Sequence, residues 1–91
     1  MSDPVTVTNP VTVTVKLFAA YQEAYGVAEL RLEFSAGATV ADVRDRLLTE
    51  HPELEQWRGL TRFGINFEFV DPDTVLQPND EVVLIPPVSG G

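Results

Sequence analysis

An α+β fold, with one main helix packed on a mixed sheet of about four to five strands, follows from three observations on this sequence. Apolar residues alternate at period two in separate runs, from Val11 to Leu17, Leu30 to Phe34 and Phe63 to Phe69, as half-buried strands require. The run from Thr39 to His51 carries helical spacing instead. Strands on either side of one main helix form a two-layer arrangement.

A chain of 91 residues is one domain and buries roughly 60 to 70% of its unfolded surface. The per-residue rule gives a stability of about 5 to 14 kcal/mol. A 44% hydrophobic share with 9% aromatics describes a packed globule rather than a disordered chain. No apolar run approaches a membrane span and no signal peptide opens the chain, so a cytoplasmic location is expected. With no cysteine, disulfides, thiolate metal sites and thiol nucleophiles are excluded. A formal net charge of -8 disfavours nucleic acid and anionic lipid and favours a partner with a basic face. Solubility alone also explains an acidic surface.

Residues 1–10 read as a tail. Pro4-Val5-Thr6-Val7-Thr8 recurs as Pro10-Val11-Thr12-Val13-Thr14, a repeat too short for a repeat architecture. Only the second copy continues the alternation through Val15 and Leu17. The first copy is expected to stay disordered, the alternative being an extra edge strand. Ala19 to Tyr25 tolerates a helix, and Gly26 follows where a left-handed C-cap belongs. Leu30, Leu32 and Phe34 form a second strand, paired hairpin-fashion with the first across that short helix. Residues 35–38 are a loop.

Thr39 caps the main helix, with Asp42 as the capping-box acid three residues on. Val40, Val43 and Leu47 share its inner face; Leu48 lies at the margin, and Asp42, Arg44, Asp45 and Arg46 point largely outward. Pro52 ends it. In the following connection Leu54 and Trp57 pack as one turn under the core. Phe63, Ile65, Phe67 and Phe69 read as one strand whose apolar stripe is core rather than a binding platform. Asp71-Pro72-Asp73-Thr74 and Gln77-Pro78-Asn79-Asp80 are turns bracketing Val75-Leu76. Val82 to Ile85 is apolar on both faces, as a central strand covered on both sides is.

Two candidate sites receive plainer readings. His51 is the only histidine and falls at a helix C-terminus, where a cation is favourable. Asp71, Asp73, Asp80 and Glu81 lack the ligand spacing and central glycine of a calcium loop, so turn chemistry accounts for them. Phe18 and Ile85 have the opposite parity to the core positions and are the candidate docking patch on an open face.

The chain ends Ile85-Pro86-Pro87-Val88-Ser89-Gly90-Gly91. Proline donates no backbone hydrogen bond, so Pro86 and Pro87 stop the sheet and stiffen the exit. Val88 and Ser89 extend the arm. Gly90 and Gly91, without Cβ atoms, leave the terminal carboxylate open to a nucleophile. The expected organisation is a tail at 1–10, a folded domain at 11–87 and a flexible arm at 88–91.

From about Val11 to Gly91 the sequence resembles the ubiquitin-like, β-grasp sulfur carriers, and most closely the family of molybdopterin synthase small subunits. Pro-Pro-Val-x-Gly-Gly at the terminus is the specific signature; the diglycine alone is not. Val15-Lys16-Leu17-Phe18-Ala19, Thr39-Val40-Ala41-Asp42-Val43, Ile65-Asn66, Leu76 and Asp80-Glu81-Val82 are similar to further family positions. Asn79 replaces a family glycine, a mild change because Asn tolerates positive φ. Gln22 replaces a frequent arginine, so no ionic partner contact carries over there.

The resemblance implies that an E1-like adenylyltransferase uses ATP to convert the Gly91 carboxylate to an acyl adenylate. Persulfide sulfur from a sulfurtransferase then displaces AMP, and thiol reduction of the resulting acyl disulfide leaves a thiocarboxylate. The large subunit of the synthase, in an expected heterotetramer, takes that sulfur for cyclic pyranopterin monophosphate in molybdenum cofactor synthesis. Residues 86–90 thread the partner's tunnel. The chain itself is not an enzyme and binds no cofactor or metal; nucleic acid and membrane are not expected partners. Three alternatives stay open: a carrier for thiamine thiazole, tRNA thiolation or cysteine; a protein modifier joined to lysines through Gly91; and a purely structural binding domain, in which deleting Gly91 changes nothing.

Overall fold

In a computed structural model, residues 10–87 are described; the first repeat copy and the arm residues Val88, Ser89, Gly90 and Gly91 lie outside them. The alternating valines form strand β1 (Val11–Leu17), whose even-numbered side chains face out while Val11, Val13, Val15 and Leu17 are buried. Helix α1 (Ala19–Tyr25) follows and ends at Gly26, whose φ of 74° is the left-handed cap expected there. Strand β2 (Glu29–Phe34) then runs antiparallel to β1, with Leu32 beside Val13.

Helix α2 (Val40–Glu50) starts with a complete capping box. The Asp42 N–H donates to Thr39 Oγ1 at 3.3 Å, and the Thr39 N–H donates to Asp42 Oδ2 at 2.9 Å. Val40, Val43 and Leu47 are buried against the sheet, and so is Leu48, which is no marginal residue. Arg44 also departs from the outward reading. Its side chain is only 17% exposed, lying over the Phe63 ring at 5.6 Å and donating to the Arg58 carbonyl at 3.2 Å. Its aliphatic stem covers core surface while its guanidinium finds partners.

His51 closes α2 and Pro52–Trp57 forms one 3-10 segment, with Leu54 buried and Trp57 packed against the core. Tyr21 from α1 is fully buried beneath it. Thr61 Oγ1 donates to the Trp57 carbonyl at 2.8 Å, so the 2.7 Å contact between the Tyr21 and Thr61 hydroxyls is donated by Tyr21. Burial raises the Tyr21 phenol above its ordinary pKa.

The stretch from Phe63 to Phe69 is not one strand. It is a hairpin of β3 (Arg62–Ile65) and β4 (Glu68–Val70), turned at Asn66 and Phe67 with φ of 52° and 76°. Positive φ at both central residues is the two-residue hairpin turn whose twist suits its strands. Pairing Ile65 with Glu68 reverses the parity, so Phe69 joins Gly64 on one face while Val70 joins Phe63 on the other. Consequently Phe63 is core, but Phe67 and Phe69 are 92% and 73% exposed.

Strand β5 (Glu81–Ile85) is central, parallel to β1 and antiparallel to β3, giving a five-stranded sheet in the order β2-β1-β5-β3-β4. It is covered on one face only: Val82 and Leu84 are buried against the helices, while Val83 and Ile85 are half-exposed. Five strands around α2 give the β-grasp arrangement.

Candidate docking face and tail root

The uncovered face of the sheet is divided by chemistry. Its β2–β1 half carries Glu29, Arg31, Glu33, Thr12, Thr14 and Lys16, placed there by their register opposite the buried valines and leucines. Lys16 donates to Glu29 Oε1 at 2.8 Å, and that bond raises the ammonium pKa; Glu81 lies 4.0 Å away. The β5–β3–β4 half is apolar. Val83, Ile85, Phe67 and Phe69 surround Gly64 in an open groove bounded by Glu68.

Gly64 makes that groove possible. A Cβ there would come within 3.3 Å of the Glu68 carbonyl oxygen and 3.7 Å of Val83 Cβ, so a larger residue would fill the floor and press on backbone.

The two docking candidates fall together at one end of this face. Leu17 pairs with Leu84 in the parallel β1–β5 ladder, and Phe18 continues the extended backbone (φ -133°, ψ 152°) one step further. Extended by that one step, the register puts Phe18 opposite Ile85. Phe18 is 47% exposed, and Ala19, at φ 51°, takes an unusual left-handed conformation immediately after it. The Phe18 carbonyl meanwhile accepts the Tyr21 N–H at 3.1 Å, so the turn into α1 begins without hiding the phenyl ring.

Ile85 is also the last residue of β5, and Pro86 and Pro87 carry no ladder pairing, as proline chemistry requires. Pro86 is buried and Pro87 exposed. Together with Ile85, Leu60 and Arg62 they line a second hollow at the root of the arm, in which Leu60 is 58% exposed. The positions expected to carry chemistry, Val88, Ser89, Gly90 and Gly91, lie beyond the described residues.

Phe67 and Phe69, core positions in the sequence reading, belong to this surface because the parity reverses at Asn66-Phe67. Val83, expected in a strand covered on both faces, and Leu60, which carried no sequence signal, join them. Elsewhere, His51 stacks edge-on against Tyr25, with ring centroids 4.3 Å apart, and its Nδ1 lies 3.3 Å from Glu53 Oε2. Among the described residues no group of three or more histidines and carboxylates converges as a metal site, and no helix is long and apolar enough to cross a membrane.

A five-stranded β-grasp domain whose central strand runs into Pro86 and Pro87 at the border of an apolar face defines the ubiquitin-like class. Residues 15–91 match the ThiS family, and the chain belongs to it. It is 36% identical over 84 residues to the molybdopterin synthase sulfur carrier subunit of Arabidopsis thaliana, covering 92% of this chain and 88% of that one. The crystal structure of small archaeal modifier protein 1 from Haloferax volcanii superposes with a TM-score of 0.73 at 30% identity, covering 86% of this chain and 99% of that one. Another similar structure is the complex of subunits 1 and 2 of the molybdopterin-converting factor from Helicobacter pylori, with a TM-score of 0.57, 27% identity, and coverage of 89% and 100%.

Proposed function

We propose that this chain is the sulfur carrier subunit of a molybdopterin synthase. The observation that carries the reading is that the family match runs through the arm to Gly91, beyond a fold whose apolar half-face begins where the arm leaves. In this reading Gly91 is activated by an ATP-consuming E1-like partner, and one carboxylate oxygen is replaced by sulfur from a sulfurtransferase. The pocket that uses the thiocarboxylate belongs to the large subunit. That fits a chain with no cysteine, whose sulfur has to be acquired.

The large subunit docks on Phe18 and Ile85, and Pro86, Pro87, Val88, Ser89 and Gly90 conduct Gly91 into its tunnel. The Helicobacter pylori complex supports a partner of this kind. A net charge of -8 favours a basic rim around the large-subunit pocket. Reconstitution tests the reading. The thiocarboxylated chain, the large subunit and cyclic pyranopterin monophosphate are expected to yield the dithiolene product; no product overturns the molybdopterin assignment.

The similarity to a small archaeal modifier protein favours one second reading, in which Gly91 forms isopeptide bonds with lysines. That role requires higher-mass conjugates of the chain in lysate. Free and synthase-bound forms alone exclude it.

A further inference from the structure

Phe67 is a residue the fold does not ask for. It occupies the second central position of the β3–β4 turn at φ 76°, where glycine is favoured and an aromatic residue is strained. It repays this with no core packing, being 92% exposed. Strain of this kind persists where the surrounding structure imposes it, and it concentrates at functional positions. Asn66 supplies the imposition: its N–H donates to the Glu81 carbonyl at 2.9 Å and its side chain accepts the Glu81 N–H at 3.1 Å.

We propose that Phe67 is a binding anchor that enters an apolar pocket on the large subunit and extends the docking surface from the tail root to the hairpin tip. This rests on the docking of the large subunit proposed above. Phe67 shares one groove with Ile85, floored by Gly64 and flanked by Phe69 and Val83, so a partner seated on Ile85 is in line to reach it. A second copy of this chain is the poorer occupant, because two chains of net charge -8 repel. A transient activating partner also fits less well. A lasting subunit interface buries about 800 Å² per partner, more than an arm and two side chains supply, and an aromatic ring contributes roughly 150 to 250 Å² of it.

The test uses the full chain and the purified large subunit, comparing Phe67→Gly with Ile85→Asp. Glycine suits the turn better than phenylalanine, so Phe67→Gly is expected to keep or raise the melting temperature while weakening binding about tenfold or more. Phe67→Asn, which also tolerates positive φ, is expected to do the same and serves if the glycine variant folds poorly. If both Phe67 variants bind as the parent does while Ile85→Asp does not, the anchor is overturned and the docking face stands. If Ile85→Asp also binds normally, the docking reading itself falls. Binding lost only to the activating enzyme, with large-subunit affinity unchanged, likewise overturns the proposal.

Discussion

Asn66 Nδ2 donates to Asp80 Oδ1 at 3.1 Å, linking the tip of the β3–β4 hairpin to the turn that launches β5. The second Asp80 oxygen accepts the Gln77 N–H at 2.8 Å, and Asp80 is buried. A buried carboxylate needs such donors. Asn66→Gly keeps the positive φ available and removes only the side-chain bonds, so it isolates their contribution. A loss of about 1 to 3 kcal/mol is expected in urea unfolding. A loss below about 0.5 kcal/mol would show the link to be dispensable.

The α2 cap makes a smaller, separable contribution. Thr39→Ala removes the acceptor for the Asp42 N–H and should cost about 1 kcal/mol. Thr39→Ser should restore most of it, because the hydroxyl is what the N–H meets. Chemical denaturation of the three proteins compares them directly.

Tyr25 and Glu50 give the fold a defined acid response. The Tyr25 hydroxyl donates to Glu50 Oε1 at 2.6 Å, and this bond holds the carboxyl below its ordinary pKa of 4.5. A carboxylate whose folded pKa is depressed contributes fully above its unfolded value and loses that contribution as pH falls through the folded one. Glu50 is 43% exposed, so screening limits the effect to about 0.5 to 1 kcal/mol. Tyr25→Phe is therefore expected to destabilise at pH 7 and to make progressively less difference below about pH 4.5. Equal destabilisation at pH 7 and pH 3 would contradict this assignment.

The docking face can be tested without damaging the fold. Phe18 is the N-cap of α1 and makes no side-chain capping bond, whereas aspartate is a preferred N-cap. Phe18→Asp should thus leave stability nearly unchanged while placing a charge in the apolar contact. Its affinity for the large subunit is expected to fall at least tenfold, and parental affinity should weaken with added salt. Calorimetric titration at two ionic strengths measures both.

How far the sequence reveals this molecule depends on how local each signal is. The β1 alternation, Gly26 as a C-cap and the Thr39–Asp42 box were legible because a few adjacent residues determine each one. The hairpin was not. Its period-two pattern continues through Asn66-Phe67, and phenylalanine stands where Asn-Gly would have announced the turn. Reading through it placed Phe69 in the core, when pairing with Gly64 puts it on the open face. Leu48 and Arg44 were misplaced for a different reason. Arg44 is covered by Phe63 and the Arg58 carbonyl, and α2 packs against the 3-10 segment, contacts between distant parts of the chain that helical spacing alone does not encode. Phe18 and Ile85 were legible as surface candidates from parity, while the breadth of the surface around them depended on the hairpin.

The proposed sulfur chemistry falls on one carboxylate, that of Gly91. Intact mass of the chain after incubation with its activating enzyme, ATP and a sulfur source tests it most directly. A sulfur carrier gains a mass matching exchange of one oxygen for sulfur, located at Gly91 and absent when Gly91 is deleted. An unchanged mass, or an increment that survives the deletion, would contradict it.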